Sequence, residues 1–290
     1  MTPPAPTYPG FRCREKILDF SQPRIIGILN TTPDSFSDGG LFLSRQAATD
    51  RIGEMVEEGA DIIDIGGEST RPGSDPVSEK VEMERVLPVL ENAITAFPNT
   101  LFSVDTTKFG VAKGALDLGV HIINDVSGLQ KEPRLADLCL ESKAGYILMH
   151  SQGDPKTMQK NPVYSNIIKD LNRFFREKLE HLQHKGIHNV IIDPGIGFGK
   201  TLEHNLKIVS NLDHFTEHGV PILAGASRKS MIGRVLDGRP VDQRLAGTIS
   251  LHYHCLLKGA SLLRVHDVRE AVDSIRIFVA VQNEKLKTNN

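Results

Sequence analysis

Residues 190–201 read VIIDPGIGFGKT: a β-branched apolar run, an acidic residue, three glycines and then Lys-Thr. Such a strand end is either the phosphate cradle of a doubly wound nucleotide-binding sheet or one strand end of a different α/β design. Spacing decides between them. A P-loop needs a glycine, four residues and then Gly-Lys-Ser/Thr, so that enough backbone N–H groups wrap a phosphate. Counting back from Gly199-Lys200-Thr201 places the first glycine at Pro194. The dinucleotide fingerprint also fails, because Gly195 and Gly197 call for a third glycine where Lys200 stands. A nucleotide loop is therefore disfavoured, and Lys200-Thr201 reads as the start of the following helix.

The same design, an apolar run ending on polar residues, recurs along the chain. Further strand candidates are RIIGILN (24–30), DIIDIG (61–66), LFSVDT (101–106), HIINDV (121–126), YILMH (146–150), PILAGA (221–226) and SLLRVH (261–266), making eight with VIID (190–193). Between them lie helical patterns, such as Met83, Val86, Leu87, Leu90 and Ile94, or Val268, Ala271, Val272 and Ile275. Eight strand–helix units without a composition break predict an α/β protein built as a single (β/α)8 TIM barrel, with an open doubly wound sheet as the alternative. The barrel is expected over 21–283, after a short, mostly irregular N-terminal extension (1–20) and before a tail (284–290).

Asn30, Asp64 to Glu68, Asp105, Asn124-Asp125, Met149-His150, Asp193, Ser227-Arg228-Lys229 and Arg264 to His266 all stand where an apolar run gives out. In a barrel those ends converge on the face that carries the site. A single Asp or Asn there is as readily a helix N-cap, and Asp193-Pro194 is also a turn-initiating pair. The repetition favours function.

Composition narrows the class. Thirty-four Lys and Arg against 36 Asp and Glu leave almost no net charge, which argues against a general nucleic-acid or membrane-surface binder. Cys13, Cys139 and Cys255 are scattered and read as reduced thiols of a cytoplasmic protein. The opening MTPPAPTYPGFRCREK has no apolar core of a secretory signal. His252, His254 and Cys255 look like metal ligands, yet i and i+2 in a helix point to different sides; core packing or a subunit contact is expected. Lys156, Lys160, Lys169 and Arg173 are interleaved with Asp154, Asp170 and Glu177, which suits a solvated surface.

The stretches GILNTTPDSFSDGG (27–40), DIGGESTRPGSDPVS (64–78), SVDTTK (103–108), INDVSG (123–128), LMHSQGDP (148–155), IDPGIGFGK (192–200), GASRKS (225–230) and RVHDV (264–268) resemble those of dihydropteroate synthases. The resemblance runs from about residue 24 to the C-terminus. It implies a folate-pathway transferase in which p-aminobenzoate displaces diphosphate from 6-hydroxymethyl-7,8-dihydropterin diphosphate, with Mg2+ as cofactor, a homodimeric state and inhibition by sulfonamides. A pterin-binding methyltransferase domain and a non-catalytic pterin-binding homologue are the alternatives.

Carried over residue by residue, the resemblance places Asp105, Asn124, Met149, Asp193, Lys229 and Arg264 around the pterin. Asn30, Thr70, Arg71, Arg264 and His266 fall to the diphosphate, with Asn30 also the magnesium ligand. Phe36, Thr70, Pro72, Phe198 and Ser230 fall to p-aminobenzoate. The groups implied in catalysis are Asp105, Lys229, Arg71, Arg264 and His266. These types suit the chemistry: ionised Asp only accepts and matches the ring's N–H donors, guanidinium forks match phosphate oxygens, and a hard ion that keeps its water needs few protein ligands. For Arg264 an ion pair with Asp267 or Glu270 is the structural alternative. Loops 31–43 and 67–77, rich in Gly, Pro, Ser and Asp, are expected to act as lids.

Overall fold

The structure is a computed structural model, and it describes residues 10–32, 40–70, 73–154, 156–158 and 162–287. Part of the segment expected to be irregular is instead an antiparallel hairpin of β1 (Phe11–Cys13) and β2 (Lys16–Leu18), with Phe11 paired to Leu18. The period-two apolar positions Phe11, Cys13, Leu18 and Phe20 are all buried. The segment's prolines lie before these residues, so they do not interrupt the pairing.

All eight candidate strands form. They are β3 (Arg24–Asn30), β4 (Ile62–Gly66), β5 (Leu101–Asp105), β6 (Ile122–Asp125), β7 (Gly145–Met149), β8 (Val190–Asp193), β9 (Leu223–Ala224) and β10 (Leu262–Val265). Neighbours pair in parallel in the order β8-β7-β6-β5-β4-β3-β10-β9. A bridge between Ile192 and Ile222, with the Ile192 N–H donating to Pro221 O at 3.0 Å, joins the two ends. The alternative of an open sheet is thereby set aside. β9 is shorter than expected, since Pro221 has no N–H to give the ladder.

Helices α1 (Gly40–Glu58), α2 (Glu79–Ala96), α3 (Phe109–Leu118), α4 (Leu135–Ser142), α5 (Ile167–His184), α6 (Leu202–Ser210), α7 (Ser230–Val235), α8 (Leu245–Leu257) and α9 (Val268–Lys287) fill the connections. The helical spacing read in the sequence puts Val86 and Leu90 of α2, and Val268, Ala271 and Ile275 of α9, into the layer between helices and barrel. No helix among the described residues is long and apolar enough to cross a membrane.

The alternation of strand side chains fixes where the site lies. Ile26, Ile62, Leu101, Ile122, Ile147, Ile191, Leu223 and Leu262, one from each strand, fill the barrel interior together with the hairpin residues Phe11, Cys13, Leu18 and Phe20. Two residues further along a strand the side chain again points inward. Those positions are Ile28, Asp64, Ser103, Asn124, Met149, Asp193, Gly225 and Arg264. An apolar floor, closed below by the hairpin, thus carries a largely polar layer at the C-terminal mouth.

Candidate functional site

Arg264 is the centre of that layer. Its Nε donates to Asp64 Oδ2 at 2.6 Å and its Nη2 to Asp105 Oδ2 at 2.8 Å. Neither Asp267 nor Glu270 is its partner: Asp267 pairs with Arg228. Asp64 is fully buried and also accepts from Ser103 Oγ at 2.6 Å and Asn124 Nδ2 at 2.9 Å. With its amide nitrogen committed, Asn124 keeps its carbonyl oxygen as an acceptor for a ligand. Burial pushes the Asp105 carboxyl up to about 7, with the Asp64 charge adding to it and Arg264 opposing.

Asp193 ends β8 and is buried. Its Oδ1 accepts the Gly195 N–H at 2.7 Å, which builds the turn, and burial raises its carboxyl. The glycines that follow are explained by close approach. Gly195 and Gly199 have φ of +68° and +62°, and a β-carbon on them would overlap the carbonyl oxygens of His150 and Gln152. The loop therefore packs directly onto the one after β7, where a phosphate cradle would stand open.

Lys200 corrects one expectation. Thr201 is indeed the N-cap of α6, forming a capping box with His204, but Lys200 is more than a helix start. It is buried, and its Nζ lies 3.1 Å from His150 Nδ1, 3.2 Å from His150 O and 3.0 Å from Phe198 O. It fastens the loop after β8 to the end of β7. Burial lowers its ammonium to about 7.

The Lys229 ammonium stands over the Phe198 ring, 4.1 Å from its centroid. Burial first, and then Arg264, lower it to about 8, while Asp193 and Asp105 hold it up. Lys229 and Ser230 leave the loop after β9, Ser230 opening α7 on the exposed side. His266 follows β10 two residues beyond Arg264, with its Nδ1 2.9 Å from Ser227 Oγ. Met149 ends β7 buried, paired in register with Asp193. Asn30 ends β3 half-buried, opposite Gly66, and its side chain has no hydrogen bond among the described residues.

Thr70, Asp105 and Phe198 line one cleft, together with Glu68, Glu82 and Thr106. Phe36, Arg71 and Pro72 lie outside the described residues, as do 33–39 within the first expected lid; its last residues, 40–43, belong to α1. Asp125 is structural: it accepts from the Ser127 and Leu129 N–H groups at 2.8 and 2.6 Å and from Tyr146 Oη at 2.5 Å. In α8, His252 and Cys255 are buried and His254 is exposed, so these three do not converge. Lys156 pairs with Asp75 and Arg173 with Asp170, while Lys160 lies outside the described residues.

A family profile described as pterin binding enzyme matches residues 26–266. The dihydropteroate synthase of Haemophilus influenzae is 46% identical over 270 residues, covering 92% of this chain and 97% of that protein. The chain belongs to the dihydropteroate synthase family. Two solved members of the family superpose closely. The Yersinia pestis enzyme, solved as a complex with a sulfonamide drug, has a TM-score of 0.86 and 41% identity over 95% of this chain and 100% of that one. The Xanthomonas albilineans enzyme, solved with 4-aminobenzoic acid, has a TM-score of 0.88 and 40% identity over 95% of this chain and 99% of that one.

The fold brings together Arg264, Asp105, Asn124, Asp193 and Lys229, five of the candidates in the sequence. Asp64, Ser227 and Lys200 join them, in roles at the site that the sequence alone does not assign. Asp64 carried a usable signal: a carboxylate two residues after Ile62, inside a run buried on both faces, needs a buried cation or donors. Lys200 carried none, because its partners are two backbone carbonyls and a histidine about fifty positions away.

Proposed function

We propose that the protein is a dihydropteroate synthase, which joins p-aminobenzoate to 6-hydroxymethyl-7,8-dihydropterin diphosphate and releases diphosphate and 7,8-dihydropteroate. The observation that carries this reading is the inward layer of Asp105, Asn124 and Asp193 beside Lys229 and Arg264, an acceptor set facing two cations above an apolar floor. A flat heterocycle with N–H donors on one edge and a carbonyl and ring nitrogen on another matches that set. Similarity along nearly the whole chain to a synthase favours this function over corrinoid-linked methyl transfer.

In this reading Asp193, Asp105 and Asn124 accept from the pterin, Lys229 donates to its carbonyl and ring nitrogen, Arg264 lies against the ring and Met149 borders it. Phe198, Ser230 and Thr70, with Phe36 and Pro72, surround p-aminobenzoate; Thr70, Arg71, Arg264 and His266 meet the diphosphate. The 4-aminobenzoic acid bound in the Xanthomonas structure is the amine that reacts here, and sulfonamides, as mimics of it, are expected inhibitors.

The arylamine attacks as a neutral molecule, so no base is needed to create the nucleophile. The C–O bond to diphosphate breaks with its electron pair leaving on oxygen. The amine nitrogen then bonds to the methylene carbon and loses a proton to water or to the released diphosphate. We assign an SN1-like order, because the methylene cation is conjugated with an electron-rich ring and the Asp105 carboxylate stands near it.

The half-buried Asn30 amide, with no protein partner among the described residues, fits a magnesium ion held mainly by diphosphate and water. Such an ion would neutralise charge on the departing oxygens. A homodimer working in the cytoplasm completes the proposal. An assay of diphosphate release that depends on both pterin diphosphate and p-aminobenzoate tests it, and release without dihydropteroate formation would overturn it.

A further inference from the structure

The Ser227 hydroxyl touches two atoms of one residue. It accepts the His266 backbone N–H at 3.2 Å and lies 2.9 Å from His266 Nδ1. Ser227 is buried, and its oxygen has no third partner among the described residues. A hydroxyl has one proton to give. If Nδ1 carried the ring proton, the oxygen would accept twice and its own hydrogen would be left buried without an acceptor. Buried donors are seldom left so. The satisfied arrangement has the Ser227 O–H donating to a bare Nδ1, which leaves the proton of the neutral ring on Nε2.

The backbone holds the hydroxyl in that aim. Arg228 adopts a left-handed φ of +55°, unusual for a residue with a side chain, and it is held through both its backbone and its guanidinium. Its N–H donates to Thr248 Oγ1 at 3.1 Å, its carbonyl accepts from Arg244 Nη1 at 3.0 Å, and its guanidinium grips Asp267, with Nε 3.0 Å from Oδ2. Ser227 and Arg228 of one loop thus face His266 and Asp267 of the next in adjacent rungs. The ring is also kept uncharged, since burial and the cations Arg264 and Arg228 lower it to about 4. With the imidazolium disfavoured, the tautomer alone decides whether Nε2 donates or accepts.

We propose that Ser227 is a positioning residue that fixes His266 as the Nε2–H tautomer, so that a neutral ring presents a hydrogen-bond donor to the anionic oxygens of the leaving group. The second half of this statement rests on the diphosphate role given to His266 above. In the other tautomer a lone pair would face those oxygens and repel them. Nε2 has no hydrogen-bond partner among the described residues, so it is available to a ligand.

The test is long-range 1H–15N NMR on the full-length protein labelled at histidine, with His266 assigned by its loss in His266→Gln. At neutral pH the parent should show a bare Nδ1 and a protonated Nε2. Ser227→Ala should give a mixture of tautomers and lower kcat/KM for the pterin diphosphate about tenfold, the scale of one hydrogen bond to an anion. Its affinity for a pterin lacking diphosphate should stay unchanged, and Ser227→Thr, which keeps the hydroxyl, should restore the single tautomer.

A protonated Nδ1 in the parent would overturn the proposal outright, and that spectrum needs no variant to fold. Unchanged tautomer populations in Ser227→Ala would overturn the role of the hydroxyl. A mixed tautomer with undiminished affinity for the pterin diphosphate would overturn the leaving-group half and remove His266 from the diphosphate site.

Discussion

Arg264 on β10 reaches past β3 to Asp64 on β4, its Nε donating to Oδ2 at 2.6 Å. The same oxygen accepts the Asn124 amide at 2.9 Å, so one buried carboxylate orients two groups of the proposed pterin pocket. Asp64→Asn would bring a donor into a cluster of donors. Breaking a buried pair from one side typically costs about 3 to 5 kcal/mol. Urea unfolding of Asp64→Asn should show a loss on that scale, with weaker pterin binding. A variant as stable as the parent, with unchanged pterin affinity, would show that Asp64 does not organise the site.

Asp193→Asn probes the pterin edge directly. Its Oδ1 is held by the Gly195 N–H, and in the proposed site the other oxygen is the acceptor offered to the ring. Putting an amide there should weaken pterin binding by roughly 2 to 3 kcal/mol, some thirtyfold or more. Isothermal calorimetry with the pterin diphosphate reads this, and equal affinity would take Asp193 out of the pocket.

The raised carboxyl of Asp105 gives a pH signature whose sign can be worked out. Its ordinary value is 3.8 and its folded value about 7. Between the two the folded state holds a proton that the unfolded chain has lost, so this residue's contribution to stability falls as pH rises through that window. Asp105→Asn removes the contribution. The stability of parent minus variant, from urea melts at pH 4, 5, 6 and 7, should therefore decline with pH. A flat difference would mean that Arg264 holds Asp105 ionised throughout.

The strand ends were legible because each apolar run in the sequence stops where a barrel strand stops, and the period of two put Asp105, Asn124, Asp193 and Arg264 on one side. What the sequence left open depends on pairings across long separations. Arg264 had an acidic neighbour in Asp267 and an equally good partner 200 positions away, and only the closure of β10 against β3 selects Asp64. The hairpin at 11–18 was hidden by the prolines preceding it, although its alternating Phe11, Cys13 and Leu18 anticipated a buried face. Lys200 looked like a helix start because the feature that makes it more, a cluster of backbone carbonyls, has no residue type.

Lys200→Met keeps the length of the side chain and removes the ammonium that joins His150 to the Phe198 carbonyl. The buried carbonyls lose their donor, and the loop carrying Phe198 should loosen. Because Phe198 faces p-aminobenzoate in the proposed site, KM for p-aminobenzoate should rise several-fold, about 1 kcal/mol, with little change in affinity for the pterin. Steady-state kinetics with each substrate varied in turn separates the two. A pterin defect equal to the p-aminobenzoate defect would place the effect in the barrel core and not in the loop.

His266→Ala and Arg264→Ala separate holding the leaving group from holding the ring. His266 stands two residues beyond Arg264, outside the cluster formed by Asp64, Asp105 and Asn124. Its removal should leave affinity for a pterin without diphosphate unchanged, weaken binding of the diphosphate ester, and slow turnover further, because charge on the departing oxygens grows toward the transition state. Arg71→Ala should follow the same pattern. Arg264→Ala cannot be so selective: it leaves Asp64 and Asp105 buried without their cation, so affinity for both ligands should fall and stability with it. Dissociation constants for the two ligands across the three variants, beside steady-state rates, decide the matter. If His266→Ala lost both ligands equally, or kept full turnover, the leaving group would have to be held by other residues at the mouth, with Asn30 and Thr70 the first to test.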